Sequence, residues 1–133
     1  MLTPTEVALE FVKRINTRNV DKLCELMAED HVFIDALGEH FQGRETMRAS
    51  WNGYYEWFPD YTITLTDVFQ QEYVIGLFGS ASGTFAVEGE LHAENHWAVP
   101  AAWKAIIQGE KVAEWRVYAD NEPVRKIMAA AQG

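Results

Sequence analysis

Asp35 stands where a strand would be expected to run on. Val32, Phe33 and Ile34 before it are β-branched or aromatic, strands disfavour carboxylates, and Leu37-Gly38-Glu39 after it reads as a turn. A carboxylate at such a boundary can accept N–H groups of its own turn, here those of Leu37 or Gly38, or it can act on something outside the chain. Near the C-terminus, Glu114, Arg116, Tyr118 and Asp120 alternate with Trp115, Val117 and Ala119, so they share one strand face, and Arg116 reads as an ion pair or a dimer contact. Asp120 is also placed to help Asn121 cap a following helix. His92 and His96 have the spacing of two metal ligands on a helix, but on the strand expected there four residues span about 13 Å, too far for one zinc ion. No metal is expected, and His31 and His40, at strand or turn edges, read as solvated.

The elements that would hold these groups are marked by their caps and periods. Thr3-Pro4-Thr5-Glu6 has the form of a capping box with proline in the first turn, and Val7, Phe11 and Ile15 then share a helical face. Asn19 caps a short second helix on which Val20, Leu23, Leu26 and Met27 recur, ending at Asp30 and His31. The strand carrying Asp35 follows, and Gly43 leads into a third helix with Met47, Trp51, Tyr54, Tyr55 and Phe58 on its apolar side, stopped by Pro59. From Tyr61 to Thr66 the period is two. Further strands are expected at about 72 to 84, 94 to 108 and 110 to 120, the last two joined at Gln108-Gly109-Glu110. Asn121 and Pro123 open a closing helix through about Ala131. Helices followed by a run of antiparallel strands make an α+β chain rather than a βαβ one.

Composition narrows the partners. The 133 residues are 48% hydrophobic, enough for one domain with a real core, taken as residues 1–133. Eleven basic against twenty acidic side chains give a formal charge of −9, which repels nucleic acid and anionic membranes. Cys24 is the only cysteine, and the sequence has neither a signal-like start nor a run of about 18 apolar residues, so a cytoplasmic protein is expected. The aromatic content is heavy. Trp51, Tyr54, Tyr55, Trp57 and Phe58 crowd the third helix, and Trp97, Trp103 and Trp115 lie on the last long strands; rings with polar tips suit a planar, mostly apolar ligand.

The helix-turn-helix FVKRINTRNVDKLCELMAED, the strand HVFIDALG, the helix start GRETMRASW and the terminal GEKVAEWRVYADN, in this order, resemble the family that includes nuclear transport factor 2, ketosteroid isomerase and the SnoaL-like polyketide cyclases. The resemblance implies a cone-shaped curved antiparallel sheet wrapped around the N-terminal helices, a deep apolar pocket, and a homodimer built on the outer face of the sheet. It implies for Asp35 the role of a general base that shuttles a proton next to a carbonyl; burial against apolar walls would favour its neutral form and raise its basicity. It nominates Asp120 as a second acid/base group. His96, preceding Trp97 on a strand expected to line the cavity, reads either as an acid/base partner for Asp35 or as a satisfied structural histidine. Phe33, Trp51, Tyr54, Tyr55, Trp97, Trp103 and Trp115 would form the ligand wall. The two oxyanion donors of the isomerases fall at Phe11 and near Ala102, neither of which can donate, so steroid isomerisation is not expected. Pro100 should introduce a bulge, which leaves open whether Ala102 or Trp103 faces inward. The expectation is a cofactor-free acid/base enzyme, of isomerase or cyclase type, for a small hydrophobic cyclic or aromatic molecule. A non-catalytic binding or dimerisation module is the alternative, and a hydrolase ranks below both.

Overall fold

The computed structural model describes residues 1–132. Helix α1, Pro4–Thr17, begins with the capping box closed from both sides: Thr3 Oγ1 accepts the Glu6 N–H at 3.1 Å and Glu6 Oε1 accepts the Thr3 N–H at 2.9 Å. Asn19 Oδ1 accepts the Lys22 N–H at 3.1 Å and opens helix α2, Val20–Glu25. This helix is shorter than its apolar period suggests. The Leu26 carbonyl accepts the Val112 N–H at 2.7 Å and Met27 lies opposite Val112 in the sheet, so the two apolar residues that fit a helical period bond to a strand instead.

Strand β1, Met27–Ile34, therefore starts before Asp30, and the turn after Asp35 returns as a short strand β2, His40–Gln42, in antiparallel register with it. That makes Leu37-Gly38-Glu39 the tip of a hairpin. Helix α3, Arg44–Trp57, then leads into β3 (Thr62–Gln71), β4 (Val74–Val87), β5 (Glu90–Gln108) and β6 (Lys111–Ala119), and α4 (Glu122–Gln132) closes the chain. The six strands form one curved, open sheet in the order β2-β1-β6-β5-β4-β3. Every neighbouring pair is antiparallel except β1 and β6, which run parallel.

Two positions set the shape of the sheet. At Gly79 an added Cβ would sit 1.9 Å from the Thr64 carbonyl oxygen, so glycine is what lets β3 approach β4 where their register shifts between Leu65 and Asp67. Pro100 makes no bulge. It faces Ser80 in unbroken β4–β5 register and lies beyond the last β5–β6 pair, Ala101 with Ala119, at a point where the ladder to β6 has already ended. Alternation on β5 thus runs unbroken from Asn95 to Ile107, with Trp97, Val99, Ala101 and Trp103 on the buried face and Ala98, Pro100 and Ala102 on the other. Helix α1 lays Val7, Phe11 and Ile15 on the concave face, where the Phe11 and Trp115 ring centroids are 4.9 Å apart. No helix among the described residues is long and apolar enough to cross a membrane.

Candidate functional site

Between α3 and the concave face a cavity of about 210 Å³ remains. Odd-numbered residues build its sheet wall: Phe33 on β1 faces Trp115 on β6, Trp103 on β5 faces Val117, and Ala101 faces Ala119. The space exists because Ala81, Ala101 and Ala119 stand where larger inward side chains would fill it. Helix α3 closes the opposite side with Met47, Trp51 and Tyr54, spaced four and three residues apart, and with Ser50 beside Trp51. Tyr61, which precedes β3, and Asn121, which precedes α4, complete the lining.

Asp35 lines this cavity and also builds its own turn. Its Oδ1 accepts the N–H groups of Leu37 and Glu39, both at 2.9 Å, and its backbone pairs with Glu39 and Gly38. Both side-chain bonds fall on Oδ1, so Oδ2 carries neither. The turn and the cavity roles set against each other in the sequence are thus compatible: one oxygen anchors the hairpin, which fixes where the other can act.

Of the rings expected in the wall, Phe33, Trp51, Tyr54, Trp97, Trp103 and Trp115 line the cavity, and Tyr55 does not. The Tyr55 hydroxyl donates to the Ile15 carbonyl at 2.8 Å, tying α3 to α1. Tyr54 and Tyr61 meet edge to face at 5.0 Å, and burial pushes both phenols well above the ordinary tyrosine value. They stay protonated and can donate. The Trp97 Nε1–H is buried without a hydrogen-bond partner among the described residues.

His96 does not reach the cavity, because strand alternation sends Trp97 inward and His96 outward. Its Nδ1 lies 3.0 Å from Thr84 Oγ1, whose single proton goes to Asp60 Oδ2 at 2.7 Å, so Nδ1 carries a proton and donates to Thr84. Asp60 Oδ1 also accepts the Thr84 N–H at 2.7 Å; this exposed histidine belongs to a tie between β4 and the loop after α3. Asp120 is exposed, and its Oδ1 accepts the Glu122 N–H at 3.0 Å, capping α4 rather than facing a ligand. His31 is buried rather than solvated. The β1 register shifts between Met27 and Val32, which turns the ring inward beside Phe11, where its Nδ1–H donates to the Val112 carbonyl at 2.7 Å. Burial lowers its pKa below the usual 6.5. Phe11 is buried in the core and does not line the cavity, and Ala102 faces the other side of the sheet.

The sequence profile of the SnoaL-like domain matches residues 8–115. The chain belongs to the SnoaL-like domain family. No curated protein matches it significantly. Among solved structures, a candidate SnoaL-like polyketide cyclase of Shewanella denitrificans OS-217 is similar with a TM-score of 0.82 at 14% identity, covering 96% of this chain and 97% of that one. IdmH of Streptomyces antibioticus, a candidate polyketide cyclase, gives 0.79 at 19% identity over 96% of this chain and 99% of its own. A Catenulispora acidiphila DSM 44928 protein of ketosteroid isomerase-like fold, in complex with trimethylamine, gives 0.75 at 20% identity over 87% and 86%. At these identities the structures establish the fold of this SnoaL-like domain.

Ser50, Tyr61 and Asn121 are cavity residues the sequence reading did not select. Tyr61 carried a signal, since it opens the period-two run with inward parity. Ser50 lies one residue from Trp51, and nothing in its type sets it apart.

Proposed function

We propose that this SnoaL-like domain binds a small hydrophobic cyclic or aromatic molecule in the cavity and moves a proton on it without a cofactor, in a reaction of isomerase or cyclase type. The observation that carries this is Asp35, a carboxylate in the wall of a cavity whose other lining residues are aromatic, aliphatic or, at Ser50 and Asn121, polar and uncharged, with Oδ2 free of the two bonds that hold Oδ1. Asp35 takes a proton from a carbon next to a carbonyl and returns it elsewhere on the ring system. The negative charge that develops on the carbonyl oxygen is met by neutral donors of the same wall, the Tyr54 and Tyr61 hydroxyls, in place of the donors missing at Phe11 and Ala102. His96 and Asp120 have no part in this step. The Catenulispora acidiphila protein of similar fold, in complex with trimethylamine, supports small-molecule binding by this fold.

A second reading, a non-catalytic ligand-binding or dimerisation module, is favoured by the convex face of the sheet, where Phe69, Phe78 and Tyr118 are exposed and the Phe69 and Phe78 rings lie 5.9 Å apart. A homodimer on that face is compatible with either reading, and a cytoplasmic location fits both. The test is deuterium uptake from heavy water into a panel of cyclic ketones and lactones, followed by mass spectrometry with wild type and Asp35→Asn. Uptake should fall by about 10²- to 10⁴-fold in the variant if Asp35 is the general base. A variant that exchanges as fast as wild type rules the base reading out.

A further inference from the structure

The charge of the cavity wall points to a more specific ligand. Among the described residues seven rings line it, from Phe33, Trp51, Tyr54, Tyr61, Trp97, Trp103 and Trp115, and Asp35 is the only charged side chain. No lysine, arginine or histidine among the described residues reaches the lining, and the phenols of Tyr54 and Tyr61 are held neutral by burial. Aromatic faces carry the negative end of the ring quadrupole and Asp35 a full negative charge, so a cation finds partners in this wall, while an anion finds no cationic side chain among the described residues. The net charge of −9 biases encounter in the same direction.

We propose that the ligand is an organic cation of one or two rings, bearing a protonated tertiary amine or a quaternary ammonium group held over the indoles and near Asp35. The proposal rests on the cavity being the ligand site and adds the charge and size of what enters. The size follows from the volume: about 210 Å³ exceeds the roughly 150 Å³ that encloses benzene and falls short of the 300 Å³ or more of drug-sized sites.

Three probes of similar shape separate charge from bulk: phenyltrimethylammonium, its neutral isostere tert-butylbenzene, and benzenesulfonate. Binding is read by titration calorimetry and by tryptophan fluorescence, with wild type and with Asp35→Asn, whose amide oxygen can still accept the Leu37 and Glu39 N–H groups and keep the turn. Phenyltrimethylammonium should bind about tenfold or more tighter than tert-butylbenzene, lose part of that advantage in Asp35→Asn, and exceed benzenesulfonate by a wider margin. Equal or tighter binding of tert-butylbenzene overturns the cation proposal while leaving the cavity as the ligand site. Failure of all three probes to bind overturns the cavity reading and this proposal together.

Discussion

Replacing Asp35 by alanine and by asparagine should separate its two roles. Oδ1 holds the β1–β2 hairpin through two N–H bonds of 2.9 Å, from Leu37 and Glu39. An intramolecular hydrogen bond contributes a net of about 1 kcal/mol, and those to a charged acceptor somewhat more, but Leu37 and Glu39 are exposed and water can replace the lost acceptor. Asp35→Ala should therefore cost about 1–2 kcal/mol, which for a domain of this length lowers Tm by roughly 3–8 °C. Asp35→Asn keeps an acceptor oxygen in the same place and should stay within about 0.5 kcal/mol of wild type. Thermal unfolding followed by circular dichroism gives both stabilities, and deuterium uptake on the same samples gives activity. The expected pattern is a stable, inactive Asp35→Asn and a destabilised, inactive Asp35→Ala. An asparagine variant as unstable as the alanine one would show that the charge, rather than the acceptor geometry, holds the turn, and would refute the division of labour between the two oxygens.

Other consequences concern the walls and the buried histidine. His31 has its folded pKa below 6.5 because it is buried, so as pH falls the unfolded chain takes up this proton first. Its contribution is complete above about 6.5 and is lost as pH falls toward the folded value; Tm measured from neutral pH down to about 5 should drop more steeply for wild type than for His31→Gln, and equal slopes would contradict the assignment. Gly79→Ala drives a Cβ to 1.9 Å from the Thr64 carbonyl oxygen, a backbone atom that cannot turn aside, and should cost about 3 kcal/mol or more by urea unfolding. A loss under about 1 kcal/mol would mean that β3 can move away freely. Ala101→Leu places three further carbons in a cavity of about 210 Å³ and should leave Tm unchanged or raised while weakening binding of any cavity ligand by about tenfold or more in a fluorescence titration. Unchanged affinity would put the ligand elsewhere.

Much of the architecture could be read from local chemistry. Thr3 to Glu6 declare the first helix, Pro59 ends the third, and the resemblance over most of the chain anticipates the curved sheet with helices on its concave side. Where local reading failed, the deciding partner was distant in sequence. Leu26 and Met27 continue a helical period, yet the strand that bonds to them, at Val112, lies far along the chain. Pro100 is harmless only because β6 ends at Ala119, which no residue near Pro100 encodes.

For the cavity, parity carried more information than residue type. Trp97, Val99, Ala101 and Trp103 share one face, which already excludes His96 from it. His96 is drawn to Thr84 and Asp60 by hydrogen bonds that join three separate parts of the chain. Asp120 is accounted for by the cap it makes two residues on. His31 reads as an edge residue because its burial depends on a register shift in β1 that the sequence does not announce.

The claim that the aromatic cavity is where this protein meets its ligand can be tested with its own indoles. Of the five tryptophans, Trp51, Trp97, Trp103 and Trp115 line the cavity, while Trp57 lies outside it, 54% exposed. In ¹H–¹⁵N spectra recorded through a titration with phenyltrimethylammonium or with a ring ketone active in deuterium exchange, the four cavity indole N–H resonances should shift together along one binding curve, and that of Trp57 should stay in place. A ligand that moves Trp57 and leaves the other four unchanged would put binding on the surface and contradict the account.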